Sequence, residues 1–283
     1  MGKLTPKLRA RWDALIGSTG KDAGLSQCRP FLENKTVNDI FYEGTFKGRP
    51  CVVKCSSKSP DSIVNEYRIS ERMFAARPEC VAEPLSHWIS ENGDMAFAVF
   101  AKIAGPSLTQ LLENGVSKHE SDRFALDLMA LSDALDETGT VHRDLFADNL
   151  LLDSDGHLKA IDFQFAIDRN AYRESAWMRR NWKYRYVVFG VNHDLGIGRW
   201  NDSAALDRIA AMLPETENTN KLRASLRQKG PVAGFSAPPG LFDRLRLELY
   251  ALSLKIQLLV HTGDAEKAAR LKHRLRRIKG AAV

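Results

Sequence analysis

The stretch Val141–Phe165, VHRDLFADNLLLDSDGHLKAIDFQF, sets His142, Arg143 and Asp144 ahead of Asn149 and closes on Asp162-Phe163. Between them lies a hydrophobic–turn–hydrophobic passage. Leu150–Leu152 reads as a short buried strand, Asp153–Gly156 as turn chemistry, and Leu158–Ile161 as the returning strand. Such a hairpin carries Asn149 at its start and Asp162 at its end, so two oxygen-bearing side chains converge. Surface turns that happen to contain acids are the ordinary alternative, and the full spacing argues against them.

Working upstream, Leu4, Leu8, Trp12 and Leu15/Ile16 recur at helical spacing, and GSTGKDAG (Gly17–Gly24) breaks that helix. GSTGKDAG lacks the full G-x-x-x-x-G-K-[ST] pattern and no strand precedes it, which argues against a phosphate loop. Phe31–Lys35, Asp39–Phe46 and Pro50–Cys55 read as strands, the last two joined by a Lys47-Gly48-Arg49 turn. Lys54 ends a β-rich run. Ser59-Pro60-Asp61 starts a helix that runs to about Ala75 and carries Glu66 near its first turns. Val81–Leu85 and Ala96–Phe100 are two further strands. The Gly105-Pro106 pair is linker chemistry and places a boundary near residue 104.

Downstream of that boundary, Ser107–Glu113 reads as a short helix. Ser117 and Glu120 form a capping box for a longer one that buries Phe124, Leu128, Leu131 and Leu135 and ends at Gly139. After Phe165 comes RNAYRESAWMRRNWKYRYVVFGV. It interleaves Arg173, Arg179, Arg180, Lys183 and Arg185 with Tyr172, Trp177, Trp182, Tyr184 and Tyr186. Arginine forks bind phosphate and aromatic faces stack on sugars or bases, so this segment is the candidate substrate surface. A solvated loop with its aromatics packed inward is the alternative. Ser203–Leu213 reads as a helix, 214–240 as a long polar surface connection, and Leu241–Val260 as a very hydrophobic helix. Asp264–Lys279 reads as a basic helix with Ala268, Leu271, Leu275 and Ile278 on one face. It suits peripheral contact with an anionic membrane, and equally packing on its own domain.

Composition narrows the class without choosing a partner. The 283 residues are 44% hydrophobic, enough for one large core or two modest lobes. No apolar run approaches the roughly 20 residues that span a bilayer. The basic N-terminus has no continuous apolar core or cleavage site, so it does not read as a secretory signal. Cys28, Cys51, Cys55 and Cys80 have no paired metal spacing, and reduced packing cysteines in a cytoplasmic protein are the expectation. The net charge of +6 fits nucleic acid, acidic phospholipid or a phosphorylated substrate alike.

His142–Asn149 as H-R-D-x-x-x-x-N, with Asp162-Phe163 thirteen residues after Asn149, resembles the catalytic loop and metal-binding motif of the protein-kinase-like fold. The resemblance implies an α+β, two-lobed architecture: a β-rich N-lobe over 1–103 and a mainly helical C-lobe over 104–283. It implies ATP and Mg²⁺ as cofactors. Asp144, Asn149 and Asp162 would be catalytic, with Asn149 and Asp162 holding the metal. Lys54, oriented by Glu66, would hold the α/β-phosphates, and Ala101 to Ile103 would meet adenine. Four departures stand out: ENKTVNDI has no glycine where a Gly-rich loop belongs, no A-P-E follows, Phe146 replaces a lysine, and Gln164 replaces glycine.

Three features resemble the bacterial lipopolysaccharide core sugar kinases (heptose/Kdo-type). These are the glycine-free first hairpin followed by Gly48, Arg49 and Lys54, the Asn65-Glu66-Tyr67 helix motif, and Ile161-Asp162 after a short catalytic loop. That resemblance implies transfer of a γ-phosphate to a sugar of an anionic envelope glycolipid, in the cytoplasm or peripherally at the inner membrane, with no nucleic acid expected. A RIO-like serine/threonine protein kinase is the alternative. A pseudokinase or nucleic-acid-binding module fits less well, because every catalytic position is filled.

Overall fold

The computed structural model describes residues 6–31, 39–56, 60–169, 202–229, 241–260, 271–272 and 275. A helix over Pro6–Leu15 (α1) leads into strands Leu25–Phe31 (β1), Asp39–Phe46 (β2) and Arg49–Ser56 (β3). Helix Pro60–Ala76 (α2) follows, then strands Pro84–Ile89 (β4) and Ala96–Ala101 (β5). The five strands form one antiparallel sheet in the order β1-β2-β3-β5-β4.

Strand alternation decides what each face of the sheet does. Along β3, Cys51, Val53 and Cys55 bury on one face with Trp12, Ile16, Tyr42, Phe97 and Val99. The intervening Lys54 takes the other face, where Ile63 and Val64 of α2 pack against Ala96 and Ala98. The sheet is thereby closed by α1 on one side and α2 on the other, and Lys54 lies on the α2 side. All four cysteines are free thiols, three of them buried.

Beyond β5 come helices Leu108–Asn114 (α3) and Lys118–Glu137 (α4), each opened by the capping box of a serine, Ser107 or Ser117. Four short strands follow: Thr140–Val141 (β6), Leu150–Leu152 (β7), Leu158–Ala160 (β8) and Ile167–Asp168 (β9). Then come helices Asp202–Ala210 (α5), Glu217–Gln228 (α6) and Leu241–Val260 (α7). Phe124, Leu128, Leu131 and Leu135 of α4 form the centre of a core that takes in Leu150, Leu158, Leu206, Ile209, Leu222 and Leu226, and reaches Ile69 and Met73 of α2. The β7–β8 hairpin pairs Leu150 with Ala160. Asp153 closes its turn by accepting from the N–H groups of Asp155 and His157. Asp127 of α4 then accepts from Leu158 N at 2.9 Å and tethers the hairpin to the core helix.

Several sequence expectations are corrected. The first strand is β1, not Phe31–Lys35: Leu25 is buried and Phe31 ends it, while residues 32–38 lie outside the described set. Pro30 is tolerated because β1 is an edge strand. The N-terminal helix does not break at Gly17 but widens into a π-helical turn, Ile16–Gly20, that buries Ile16. The Val81–Leu85 strand is displaced to β4, and Val81 instead bridges Ala160. The long connection over 214–240 contains α6, capped by Thr216 and buried through Leu222 and Leu226. Of the expected basic helix 264–279, Leu271 is buried and Leu275 partly buried against α7, and most of the rest lies outside the described residues. Among the described residues no helix is long and apolar enough to cross a membrane.

The linker between β5 and α3 passes so close to β7 that a Cβ on Gly105 would lie 2.1 Å from the carbonyl oxygen of Leu152. Leu152 also donates its N–H to Pro106 O at 3.0 Å, which pins the passage. Gly105→Ala is therefore expected to cost about 1–3 kcal/mol in denaturant unfolding by overpacking. Gly17→Ala, whose Cβ meets nothing within 4 Å, should change stability by no more than about 0.5 kcal/mol and serves as the control.

Candidate active site

Lys54 is the meeting point of three elements. Its Nζ lies 2.8 Å from Glu66 Oε2 on α2 and 2.6 Å from Asp162 Oδ1, just past β8. The Lys54 and Glu66 side chains are only 5% and 4% exposed, while Asp162 stays 33% exposed. Burial alone would raise the Asp162 carboxyl, but the Lys54 ammonium, with help from the Gln164 N–H, holds it below the usual carboxylate range. Asp162 is therefore an anion at neutral pH, presented at the edge of a cavity of about 850 Å³. The cavity lining includes apolar Val52, Phe100, Ala101, Ile103 and Leu151 together with charged or polar Lys54, Glu66, Lys102, Asp148, Asn149 and Asp162.

The residues of the His142–Asn149 loop are held largely through backbone groups. Asp202, at the start of α5, accepts from the N–H of His142 at 2.6 Å and of Arg143 at 3.1 Å. Those bonds secure a strained loop: Arg143 has φ +69° and Asp162 φ +64°, both in the left-handed region that ordinary side chains rarely enter. Arg143 Nε donates to Phe165 O at 2.5 Å, tying the loop to the segment after Asp162. His142 is fully buried. Its Nδ1 accepts from Asp144 N at 3.3 Å, so its Nε2 carries the proton donated to Ile161 O at 3.0 Å. Desolvation lowers its pKa, consistent with a neutral scaffold imidazole. Asp202 was not singled out from sequence. Its only local signal is an aspartate at a helix start, and its partners lie 59 and 60 residues away.

Asn149 Nδ2 donates to Asp144 O at 2.8 Å, fixing the amide and turning its oxygen away from that carbonyl. Asp144 itself is displaced upward to about 7, first by burial and then by the neighbouring Asp162 charge, with Lys54 pulling the other way. A carboxyl that titrates near neutrality beside a fixed anion is an acid–base candidate. Asp162 and the Asn149 amide oxygen are hard donors, and a Mg²⁺ completed by phosphate and water oxygens fits them.

Four polar contacts bind α2 to the Asp162 segment. They are the Lys54-mediated pair, Gln164 Nε2 to Ser62 Oγ at 3.2 Å, Asn65 Nδ2 to Ala166 O at 2.9 Å, and an Arg72–Asp168 ion pair. Gln164, which replaces glycine, thus has a buried role that its sequence position did not reveal. Ala101 and Lys102 donate their N–H groups to Glu83 O and Pro50 O, which anchors the strand end bordering the cavity. The structure therefore brings Lys54, Glu66, Asn149, Asp162, Ala101 and Ile103 around one cavity, with Asp144 within electrostatic reach. The predicted substrate residues Arg173, Arg179, Arg180, Lys183 and Arg185 lie outside the described residues.

No protein-family model matches the chain. Over 160 residues, 54% of the chain, it is 27% identical to the serine/threonine-protein kinase cot-1 of Neurospora crassa, covering 25% of that protein. Over 96 residues it is 31% identical to the serine/threonine-protein kinase Warts of Drosophila melanogaster, 31% of this chain and 9% of that protein. It is 29% identical over 92 residues to the cAMP-dependent protein kinase catalytic subunit 3 of the same fly, 32% of this chain and 15% of that protein. The chain thus matches about a quarter or less of the length of these relatives. The likeness supports a protein-kinase-like fold, with which the antiparallel sheet and the helices around α4 are compatible.

The raised Asp144 carboxyl carries a stability consequence. Its folded pKa of about 7 lies above that of an unfolded aspartate, near about 3.9, so the native state binds the extra proton across that window and loses stability as pH rises through it. Asp144→Asn removes the titrating group. It is expected to raise the thermal midpoint relative to wild type, with a larger gap at pH 8 than at pH 4 in differential scanning calorimetry.

Proposed function

We propose that this chain is an ATP-dependent phosphotransferase that moves a γ-phosphate to a hydroxyl acceptor. The observation that carries the reading is the convergence of Lys54, Glu66 and Asp162 in the wall of a cavity that Val52, Phe100 and Leu151 also line. We also read the chain as two lobes that meet near residue 104, with the cavity between them.

Phosphoryl transfer asks the protein for positioning and charge neutralisation more than covalent chemistry. In this reading Lys54, oriented by Glu66, neutralises the α/β-phosphate side. Val52, Leu151 and Phe100 cover the base, whose edge meets the backbone of Ala101 to Ile103. Asp162 and Asn149 would hold Mg²⁺, which when bound neutralises and aligns the phosphate oxygens. Asp144 takes the proton from the acceptor hydroxyl, and its displaced carboxyl suits that task near neutral pH. His142, Arg143 and Asp202 hold the loop and touch neither nucleotide nor acceptor.

For the acceptor we favour a sugar hydroxyl of lipopolysaccharide core or another anionic envelope glycolipid. The glycine-free first hairpin, the Asn65-Glu66-Tyr67 motif and the basic, aromatic segment with Arg173, Arg179, Arg180, Lys183 and Arg185 support it. A second reading, phosphorylation of protein serine or threonine, is favoured by the names of the similar proteins, all protein kinases.

One assay separates the two. The purified chain is incubated with Mg²⁺ and γ-labelled ATP, together with an envelope glycolipid fraction or a protein fraction. Label in the glycolipid that disappears in Asp144→Ala is the expected result. Label confined to protein sinks the sugar reading and supports the second. Label in neither fraction sinks the phosphotransferase reading. The base must be ionised in the free enzyme, so kcat/KM should fall as pH drops through about 7. A profile flat between pH 6 and pH 8 would remove Asp144 from that role.

A further inference from the structure

Helix α7, LFDRLRLELYALSLKIQLLV, is apolar on two opposite faces. One face is covered: Ala251 and Leu254 are buried, and Tyr250 and Leu258 partly so, against Leu271 and Leu275. The opposite face carries Leu245, Leu249, Leu252, Ile256 and Leu259, exposed by 57, 60, 54, 54 and 77%. Single exposed leucines are ordinary on a protein surface. Five large apolar side chains in one row are not, and a helix that is apolar on all but its flanks is one that packs on both sides.

The spacing of the row is four, three, four, three, which is the a/d seam of a coiled coil. Leu249 and Ile256 stand at a, and Leu245, Leu252 and Leu259 at d. Glu248 and Lys255 then occupy successive g positions on one flank, both exposed. These charges select the partner and its direction. In a parallel pair g faces e, so Glu248 meets Ser253 and Lys255 meets Val260, and no opposite charges pair. In an antiparallel pair g faces g, so Glu248 meets the partner's Lys255 and Lys255 meets the partner's Glu248. The same alignment sets Leu249 on the partner's Leu252 and Leu245 on the partner's Ile256, each contact occurring twice. One sequence thus complements itself in size and charge about a two-fold axis, as an isologous interface requires. An anionic membrane would gain from Lys255 but be repelled by Glu248 on the same flank.

We propose that the seam Leu245–Leu249–Leu252–Ile256–Leu259 is a homodimer interface in which α7 packs antiparallel on α7 of a second copy of this chain. This goes beyond the phosphotransferase reading and does not depend on it.

The test is sedimentation equilibrium of the full chain at micromolar concentration. The wild type is expected to be a dimer. Leu249→Glu with Leu252→Glu should be a monomer with an unchanged circular dichroism spectrum, since both side chains are exposed. Glu248→Lys alone sets like charges together and should weaken the dimer about fivefold, and adding Lys255→Glu to it should restore wild-type affinity. A wild-type monomer, or a doubly glutamate-substituted variant that still dimerises, overturns the interface. A charge reversal that weakens the dimer without rescue by the swap overturns the antiparallel arrangement. A monomeric wild type whose binding to phosphatidylglycerol vesicles is lost on Leu249→Glu/Leu252→Glu also overturns the proposal, and assigns the seam to a lipid surface.

Discussion

The site depends on one buried ammonium held between two carboxylates. Lys54 comes from a sheet strand, Glu66 from the helix packed on that sheet, and Asp162 from the end of a hairpin rooted in a different core. Removing Lys54 and Glu66 from water costs several kcal/mol per ion, and only tight pairing offsets it. Neither charge tolerates the loss of its partner, so the three elements must meet in one arrangement. The pair contributes little net stability for its cost. It fixes where Asp162 stands in the wall of the cavity.

The neighbouring loop is organised on the same terms. Two non-glycine residues, Arg143 and Asp162, sit in left-handed backbone. They are kept there by Asp202 on the backbone N–H groups, by Arg143 on Phe165 O, and by the bonds from Gln164 and Asn65 to and from α2. Strain of this kind persists only where surrounding contacts over-determine it. Asp144 adds to it, because a carboxyl pushed to about 7 is one the fold prefers neutral. The site is stable through its scaffold and unfavourable at the charged form of Asp144.

Much of this was legible in the sequence because its determinants are local. The Asp153–Gly156 turn and the apolar runs beside it specify the β7–β8 hairpin, and with it the approach of Asn149 and Asp162. The β3 alternation and the Pro60 helix start are equally local and place Lys54 on a strand and Glu66 on a helix, while their pairing was legible only through the resemblance to the protein-kinase-like pattern. What stayed hidden depends on distant partners. Asp202 has a role only once α5 brings it to the N–H groups of His142 and Arg143, and Gln164 only once Ser62 comes within 3.2 Å. Helix α6 was masked by its polar composition, since its buried side carries Leu222, Leu226 and the polar Thr219. Strand β1 was obscured because its proline is acceptable only at a sheet edge. The acceptor is legible only as charge and aromatic composition after Phe165, in a segment outside the described residues.

The most direct test of the central claim is calorimetric titration of the purified chain with a non-hydrolysable ATP analogue, with and without Mg²⁺. Magnesium-dependent saturable binding, lost in Lys54→Met and strongly weakened in Asp162→Ala, is the result this account predicts. A wild type that binds no nucleotide, or binding indifferent to both substitutions, contradicts it.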